Sequence, residues 1–323
     1  MKIAILIPTK NRVEFLKGLL HQFIKNDIKN ENINIYVVDA SNDTDTLSLV
    51  SSLKNNLNIH CIKCRGNSID EDIFNALDVI NEKYVWLLGD DDGIYPYSVN
   101  EILQEVDKNS QAAGFTFNYQ AYDSNLEKKF FTHSASKNKI DHTLKSTSSL
   151  IESCGAHLGF ISCQIINNHL WKKVNRRSYF SKKYNAWSVP FIVLNILKYG
   201  NENWIYCNTK VIKYRTGNDS FLKNGIYNRQ KIMFEGFFLL MKNYSSLQSY
   251  LNFKKRYFWT RLIRNVVALK LKEISFRDQL NIFYLLKKRF SFIIPFWIIV
   301  LPIILIPRII YRIIMYPITK KLS

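Results

Sequence analysis

The first 120 positions alternate between short apolar runs and longer amphipathic stretches. Lys2 to Ile7 is an apolar run stopped by Pro8, the pattern of a buried strand. Glu14 to Ile24 follows with Phe15, Leu16, Leu19, Leu20, Phe23 and Ile24 along one helical stripe. Asn34 to Val38 reads as a second buried strand ending at Asp39, Leu47 to Leu53 as a helix, and Ile59 to Ile62 as a weak strand. Asp72 to Asn81 carries Ile73, Leu77 and Ile80 on one helical face, and Tyr84 to Leu88 is the next strand. Val99 to Val106 predicts a helix and Ala113 to Phe117 a strand. Strands alternating with helices predict an α/β fold, a mostly parallel sheet with covered faces.

Beyond Tyr122 the chain turns polar as far as Ser149, which predicts a surface excursion or lid. Gly159 to Trp171 and Ser188 to Tyr199 resume apolar patterning, and Asn228 to Phe290 is basic, aromatic-rich and helical in period. No internal repeat is present. The expected organisation is a domain over 1–225, with halves 1–120 and 121–225. A basic helical region over 226–289 and a membrane-associating segment over 290–318 follow.

The polar residues that end the strands carry the candidate chemistry. In an open α/β sheet the ligand lies outside the carboxyl ends of the strands. Three such ends are polar: Pro8-Thr9-Lys10-Asn11-Arg12, Asp39-Ala40-Ser41-Asn42-Asp43 and Gly89-Asp90-Asp91-Asp92-Gly93. Three adjacent carboxylates repel one another unless water, a cation or a basic partner offsets them. The chain lacks both GxGxxG and a Walker A motif, which excludes the dinucleotide and P-loop readings. Without a glycine-rich cradle, a divalent cation held by the acids is the expected means of neutralising a diphosphate. Hard oxygen ligands favour Mg²⁺ or Mn²⁺.

Charge sharpens the picture because it is uneven. The net +19 hides a first hundred residues with 10 basic and 14 acidic side chains, whereas 251–323 holds 15 basic and 2 acidic. A polyanionic partner is therefore expected at one end only. The uncharged run from Phe290 to Pro307, flanked by basic residues, favours an anionic membrane over nucleic acid. It is marginal in length for a spanning helix and is broken by Pro295, Pro302 and Pro307. An interfacial or re-entrant segment is expected, with Trp297, Tyr311 and Tyr316 at headgroup depth. MKIAILIPTKNR does not read as a signal peptide, and Cys61-Ile-Lys-Cys64 has no second CxxC to complete a zinc site. Free thiols in a reducing cytoplasm, and membrane contact at the cytoplasmic face of the cell membrane, follow as expectations.

The pieces ILIPTKNRVEFLKGLL, IYVVDASNDTDT, SIDEDIFNALDVINEKYVWLLGDDDGIYP, GFISCQIINNHLW and YRTGNDSFL together resemble the GT-A family 2 glycosyltransferases, in particular their bacterial abequosyltransferase-like subgroup. The likeness covers about the first 225 residues. It implies transfer of a sugar from a nucleoside diphosphate sugar to a hydroxyl of a lipid-linked oligosaccharide, in the synthesis of O-antigen, capsule or a related polymer. It also implies that Pro8, Thr9 and Arg12 border the nucleotide, that Asp39 bonds its base or ribose, and that Asp70 and Asp90 line the same pocket. Aligning the family's acid motif on Pro96 puts Gly89 at the first acid position, a departure. Asp91 becomes the main metal ligand, with Asp90 or Asp92 assisting.

Inverting members carry a catalytic carboxylate in the region matching Lys182 to Phe191, which has no acid here. His157 and Asp219 are the replacement candidates for general base. Each also has a plainer reading, His157 as a packed histidine and Asp219 as the head of an Asx-type turn. Three other readings compete. These are a nucleotidyltransferase, a non-catalytic sugar-nucleotide-binding scaffold of a polysaccharide assembly complex, and a nucleic-acid binder.

Overall fold

The computed structural model describes residues 2–26, 32–130, 140–175, 179, 184, 186–271, 274–306 and 310. Two compact units divide at Asp219/Ser220.

The first unit is built on one mixed sheet. Its elements run β1 (Ile3–Thr9), α1 (Val13–Lys25), β2 (Ile33–Asp39), α2 (Asp45–Ser52), β3 (Ile59–Lys63), α3 (Ile69–Val79), β4 (Tyr84–Leu87) and β5 (Gly93–Ile94). Then come α4 (Ser98–Lys108), β6 (Gly114–Tyr122), β7 (His142–Leu144), α5 (Thr147–Cys154), β8 (Gln164–Asn167), α6 (Asn168–Trp171), α7 (Ser188–Tyr199) and β9 (Trp204–Arg215). Strand order is β3-β2-β1-β4-β8-β6-β9-β5, with β7 on β9. The parallel ladders β1/β2, β2/β3, β1/β4 and β6/β9 have the longer registers. The antiparallel ones involving β5, β7 and β8 pair only two or three positions each.

Composition explains the centre of this sheet. Residues Ile3 to Ile7 and Tyr84 to Leu88 are all buried, as parallel strands covered on both faces require. Helix α1 packs by Leu16, Leu19, Leu20 and Phe23 of its predicted stripe, while Phe15 and Ile24 at its margins are half-buried. The consequence for the site is topological. Strand β1 is flanked by β2 and β4, with Thr9 in register with Asp39, so the three polar rims end side by side.

Two features differ from the sequence expectation. Strand β6 continues to Tyr122, and β9, where no element was expected, pairs with it along its length. Register shifts between Phe117 and Tyr119 give β9 an irregular burial pattern, which hides it from a period-two search. The polar excursion contains β7 and the start of α5, while 131–139 lie outside the described residues.

The second unit, described by itself, is helical. Helical turns run Ile226–Lys231, Ile232–Phe237 and Phe238–Tyr244, then Leu247–Tyr257, Phe258–Leu262 and Ile263–Leu271, then Phe276–Phe290, Phe296–Val300 and Leu301–Leu305. Ile232–Phe237, Phe258–Leu262 and Phe296–Val300 are π-helical. Its core is aromatic: Phe238 meets Tyr257 edge-on at 5.0 Å, and Phe290 lies 5.6 Å from Phe238 and 6.0 Å from Phe234. Among the described residues no helix is long and apolar enough to cross a membrane. Pro307, Tyr311 and Tyr316 lie outside those residues.

Candidate active site

The β1 rim is tied to both neighbouring rims. Asn11, in the left-handed region at φ 53°, donates its backbone N–H to Ser41 Oγ at 2.8 Å and accepts from the Asn42 N–H at 3.1 Å. Thr9 donates its hydroxyl to Asp90 Oδ2 at 2.8 Å, and Pro8 is half-buried beside it. Arg12, at the start of α1, places Nη1 3.2 Å from Asp90 Oδ1 and Nη2 2.6 Å from Asp91 Oδ2.

Asp39 is fully buried at the end of β2. It accepts from Lys63 Nζ at 2.8 Å and from the Ser41 N–H at 2.9 Å. Burial alone pushes its pKa up, but the bonds from Lys63 and Ser41 outweigh that and hold it below the ordinary carboxylate value. Lys63 also donates to the Ser41 and Asp43 carbonyls, fixing the β2 rim.

The aspartate trio does not converge on one point. Asp90 faces Thr9 and Arg12, and burial raises it to about 6 against the pull of Arg12. Asp91 Oδ2 accepts from Arg12 and from Asn218 Nδ2 at 2.7 Å. Asp92 is turned inward: Oδ2 accepts from the Ser162 hydroxyl and Oδ1 from the Arg215 N–H at 3.0 Å. Burial, then the charge of Asp91, push Asp92 up to about 8. The guanidinium of Arg215 holds the Asp91 carbonyl through Nε at 2.6 Å. Arg12 and Arg215 both stack near Phe15, at 4.9 and 5.3 Å. The repulsion noted in the sequence is thus relieved by two arginines, two hydroxyls and an amide.

The expected cluster of carboxylates around a metal is therefore corrected in its geometry. Among the described residues no three His, Cys, Asp or Glu side chains gather as a metal site. Of the trio's six carboxylate oxygens, Asp91 Oδ1 alone has no donor among the described residues. It faces the space beside Gly89, where an added Cβ would lie 3.2 Å from Asp91 Oδ1, 3.2 Å from Ser162 Oγ and 3.3 Å from Asp92 Oδ2. This donor set fits an ion that takes one protein carboxylate and completes its shell with phosphates and water, the habit of Mg²⁺.

The remaining candidates are placed apart from the trio's bonds. Asp70, in the first turn of α3, accepts from the backbone N–H groups of Ala186 at 2.7 Å and Ser188 at 3.1 Å. Both its oxygens are thereby committed to the start of α7, within the segment where a family base was expected. His157 is buried in a short 3₁₀ turn, with Nδ1 3.0 Å from the Tyr119 hydroxyl. Asp219 is exposed, next to the Asn218 that holds Asp91.

Sequence reasoning missed Lys63, Ser162, Arg215 and Asn218. The last three lie inside stretches already singled out, GFISCQ and YRTGNDS. The available signal was the presence of donors in segments that must return to an acidic rim.

Over residues 4–163 the chain matches the family described as glycosyl transferase family 2. It is 24% identical over 262 residues to the abequosyltransferase RfbV of Salmonella typhimurium, covering 76% of this chain and 76% of that protein. Its structure is similar to that of S. aureus TarS 1–349, with a TM-score of 0.58 at 15% identity over 90% of this chain and 82% of that one. The TarS complex with UDP-GlcNAc gives 0.61 at 16% identity, over 90% and 81%. At such identities the structural likeness speaks for the fold alone, a mixed α/β fold of GT-A type. With that fold and the family match across all three polar rims, residues 4–163 carry a glycosyl transferase family 2 domain.

Proposed function

We propose that this protein transfers a glycosyl group from a nucleoside diphosphate sugar to a hydroxyl of a lipid-linked glycan, in the assembly of a bacterial surface polysaccharide. The observation that carries the reading is the junction of the three rims: Thr9 and Arg12 of the first bonded to Asp90 and Asp91 of the third, beside Asp39 of the second. Similarity to an abequosyltransferase and to a protein solved with UDP-GlcNAc supports a sugar-nucleotide donor.

In this reading Asp39, held ionised by Lys63, accepts hydrogen bonds from the base or ribose, and Pro8 and Thr9 wall the nucleotide. Arg12 and Arg215 offer guanidinium groups to the diphosphate, where charge accumulates as the glycosyl bond breaks. A Mg²⁺ or Mn²⁺ ion would be held at Asp91 Oδ1 beside Gly89 and would neutralise the departing diphosphate. Asp92, expected as a second ligand, instead holds the loop through Ser162 and Arg215. Asp70 serves by fixing the start of α7. Asp219 is preferred over His157 as the base that takes the acceptor proton, because it is exposed beside Asn218 while His157 is packed on Tyr119. In this reading the reaction lies at the cytoplasmic face of the cell membrane, an assignment supported by the strongly basic sequence of the second unit.

The test is to incubate the full chain with a panel of sugar nucleotides, Mg²⁺ or Mn²⁺ and lipid extracts, reading nucleoside diphosphate release. Release dependent on one donor and on lipid is expected. Binding of a donor with no release under any condition would point to the non-catalytic scaffold instead.

A further inference from the structure

The second unit contains a buried cation that the transfer reaction does not use. Lys254 is only 8% exposed, yet among the described residues its ammonium has neither a hydrogen bond nor an ion pair. It lies 3.9 Å from the ring centre of Phe292 and 5.3 Å from that of Tyr250. The charged neighbours that act on it are Arg289 and Lys242, both cations. Arg289 is anchored through Nε to the Phe234 carbonyl at 2.9 Å, and its charge acts on the Tyr250 hydroxyl.

An ammonium this enclosed between two rings and beside two like charges, with no counter-ion among the described residues, is an arrangement that an anion would stabilise. The unit's sequence offers few anions of its own: 19 Lys and Arg stand against Glu235, Glu273 and Asp278, so it carries +16 of the net +19. The ammonium is not sealed from solvent, so a ligand can reach it. The surface next to it is apolar. Phe292 itself is 48% exposed, and Ile294, Trp297 and Ile298 beyond it are exposed as well.

We propose that Lys254, Arg289 and Lys242 form a binding site for the phosphate group of a membrane lipid, with Phe292, Ile294 and Ile298 contacting its hydrocarbon region. Charge complementarity selects a phosphate, and the adjoining apolar surface selects one attached to a lipid. This deepens the proposed function, resting on its lipid-linked acceptor, and names the part of that acceptor, or of the bilayer around it, that the second unit recognises.

The experiment is vesicle flotation of the full chain without any sugar donor, so its failure leaves the transfer reaction to be judged separately. Phosphatidylcholine vesicles containing phosphatidate, which exposes a terminal phosphate, are compared with phosphatidylglycerol vesicles of equal surface charge. Wild type is expected to favour phosphatidate about fivefold or more. K254M should erase that preference, K254R restore it, and the exposed neighbour variant K255M keep it. If K254M melts far below wild type, R289Q and K242Q each leave Lys254 in place and should each weaken the preference. Equal binding to both vesicles by wild type, or a preference that survives all these substitutions, overturns the proposal. Binding of inorganic pyrophosphate without any vesicle preference would reassign the site to a soluble phosphate and also overturn it.

Discussion

Arg12 and Asp91, 79 residues apart, meet in an ion pair of 2.6 Å that joins the first and third polar rims. Arg12 reaches Asp90 at the same time, so one guanidinium spans two of three adjacent carboxylates. Both side chains of the pair remain about one-fifth exposed, at 20% and 19%. Water can therefore compete for the contact, and a diphosphate could take over Arg12 without unfolding the loop. In the proposed reaction this pair would keep the donor site assembled before substrate arrives, and Arg12 would then turn to the diphosphate.

Substituting Asp91→Ala should separate activity from stability. A partly exposed ion pair contributes at most about 1 kcal/mol, so the thermal midpoint should move little. Transfer should fall by about 10²–10³-fold, because the oxygen of the trio that has no donor among the described residues, Asp91 Oδ1, is removed. Turnover and a melting curve on the same preparation decide it. Near-normal turnover would remove Asp91 from the mechanism.

Asp92 carries a pH prediction. Its carboxyl is raised to about 8, with burial as the leading cause and the Asp91 charge next. A raised acid favours the folded state while protonated. Its contribution is full below the ordinary carboxylate value of about 4 and is lost as pH rises through about 8. Wild type should therefore lose thermal stability across that window. Asp92→Asn should remove the loss above about pH 6 and leave below it the smaller part that Asp90, raised to about 6, contributes, since an amide can still accept from the Arg215 N–H and donate to Ser162 Oγ. Parallel pH profiles for the two proteins would show that Asp92 is not the group responsible.

The legible part of this molecule is the part encoded locally. The buried runs Ile3–Ile7 and Tyr84–Leu88 and the stripe Leu16, Leu19, Leu20 and Phe23 state their structure in their own spacing. From these, three strand ends and the convergence of their rims could be read before any coordinates. What a local pattern cannot contain is the return of distant segments. Ser162 and Arg215 reach Asp92 from 70 and 123 residues away, and Ala186 and Ser188 reach Asp70 from 116 and 118. The orientation of the three acids was hidden for the same reason. Adjacent residues on a turn point in different directions, and their partners lie elsewhere in the chain.

The bonds of Asp70 predict a stability defect. Truncation to alanine leaves the N–H groups of Ala186 and Ser188 without their acceptor at the start of α7. Orphaning the buried Ser188 N–H costs about 1–3 kcal/mol, and the half-buried Ala186 N–H costs less because water can reach it. Asp70→Ala should lower the urea midpoint accordingly, and Asp70→Asn, which keeps one carbonyl acceptor, should fall between it and wild type. An unchanged midpoint for Asp70→Ala would mean that water satisfies those groups and that the carboxylate serves elsewhere.

Lys63 should govern donor binding through Asp39. The two residues are register partners on β2 and β3, and the lysine bond is the foremost influence opposing the upward pull of burial on the Asp39 carboxyl. A depressed acid favours the folded, ionised state above the ordinary carboxylate range and loses that contribution as pH falls through its folded pKa. Lys63→Met removes the bond while keeping most of the side chain's length, so burial then dominates and the Asp39 pKa rises. The acid limb of nucleotide binding should move to higher pH, with little change near neutrality beyond a weaker β2 rim. Thermal-shift titrations of wild type and K63M, using whichever nucleoside diphosphate stabilises wild type, read this directly across about pH 4 to 8. Superimposable acid limbs would show that Ser41 alone keeps Asp39 ionised, and would leave Lys63 the simpler task of holding the carbonyls of Ser41 and Asp43.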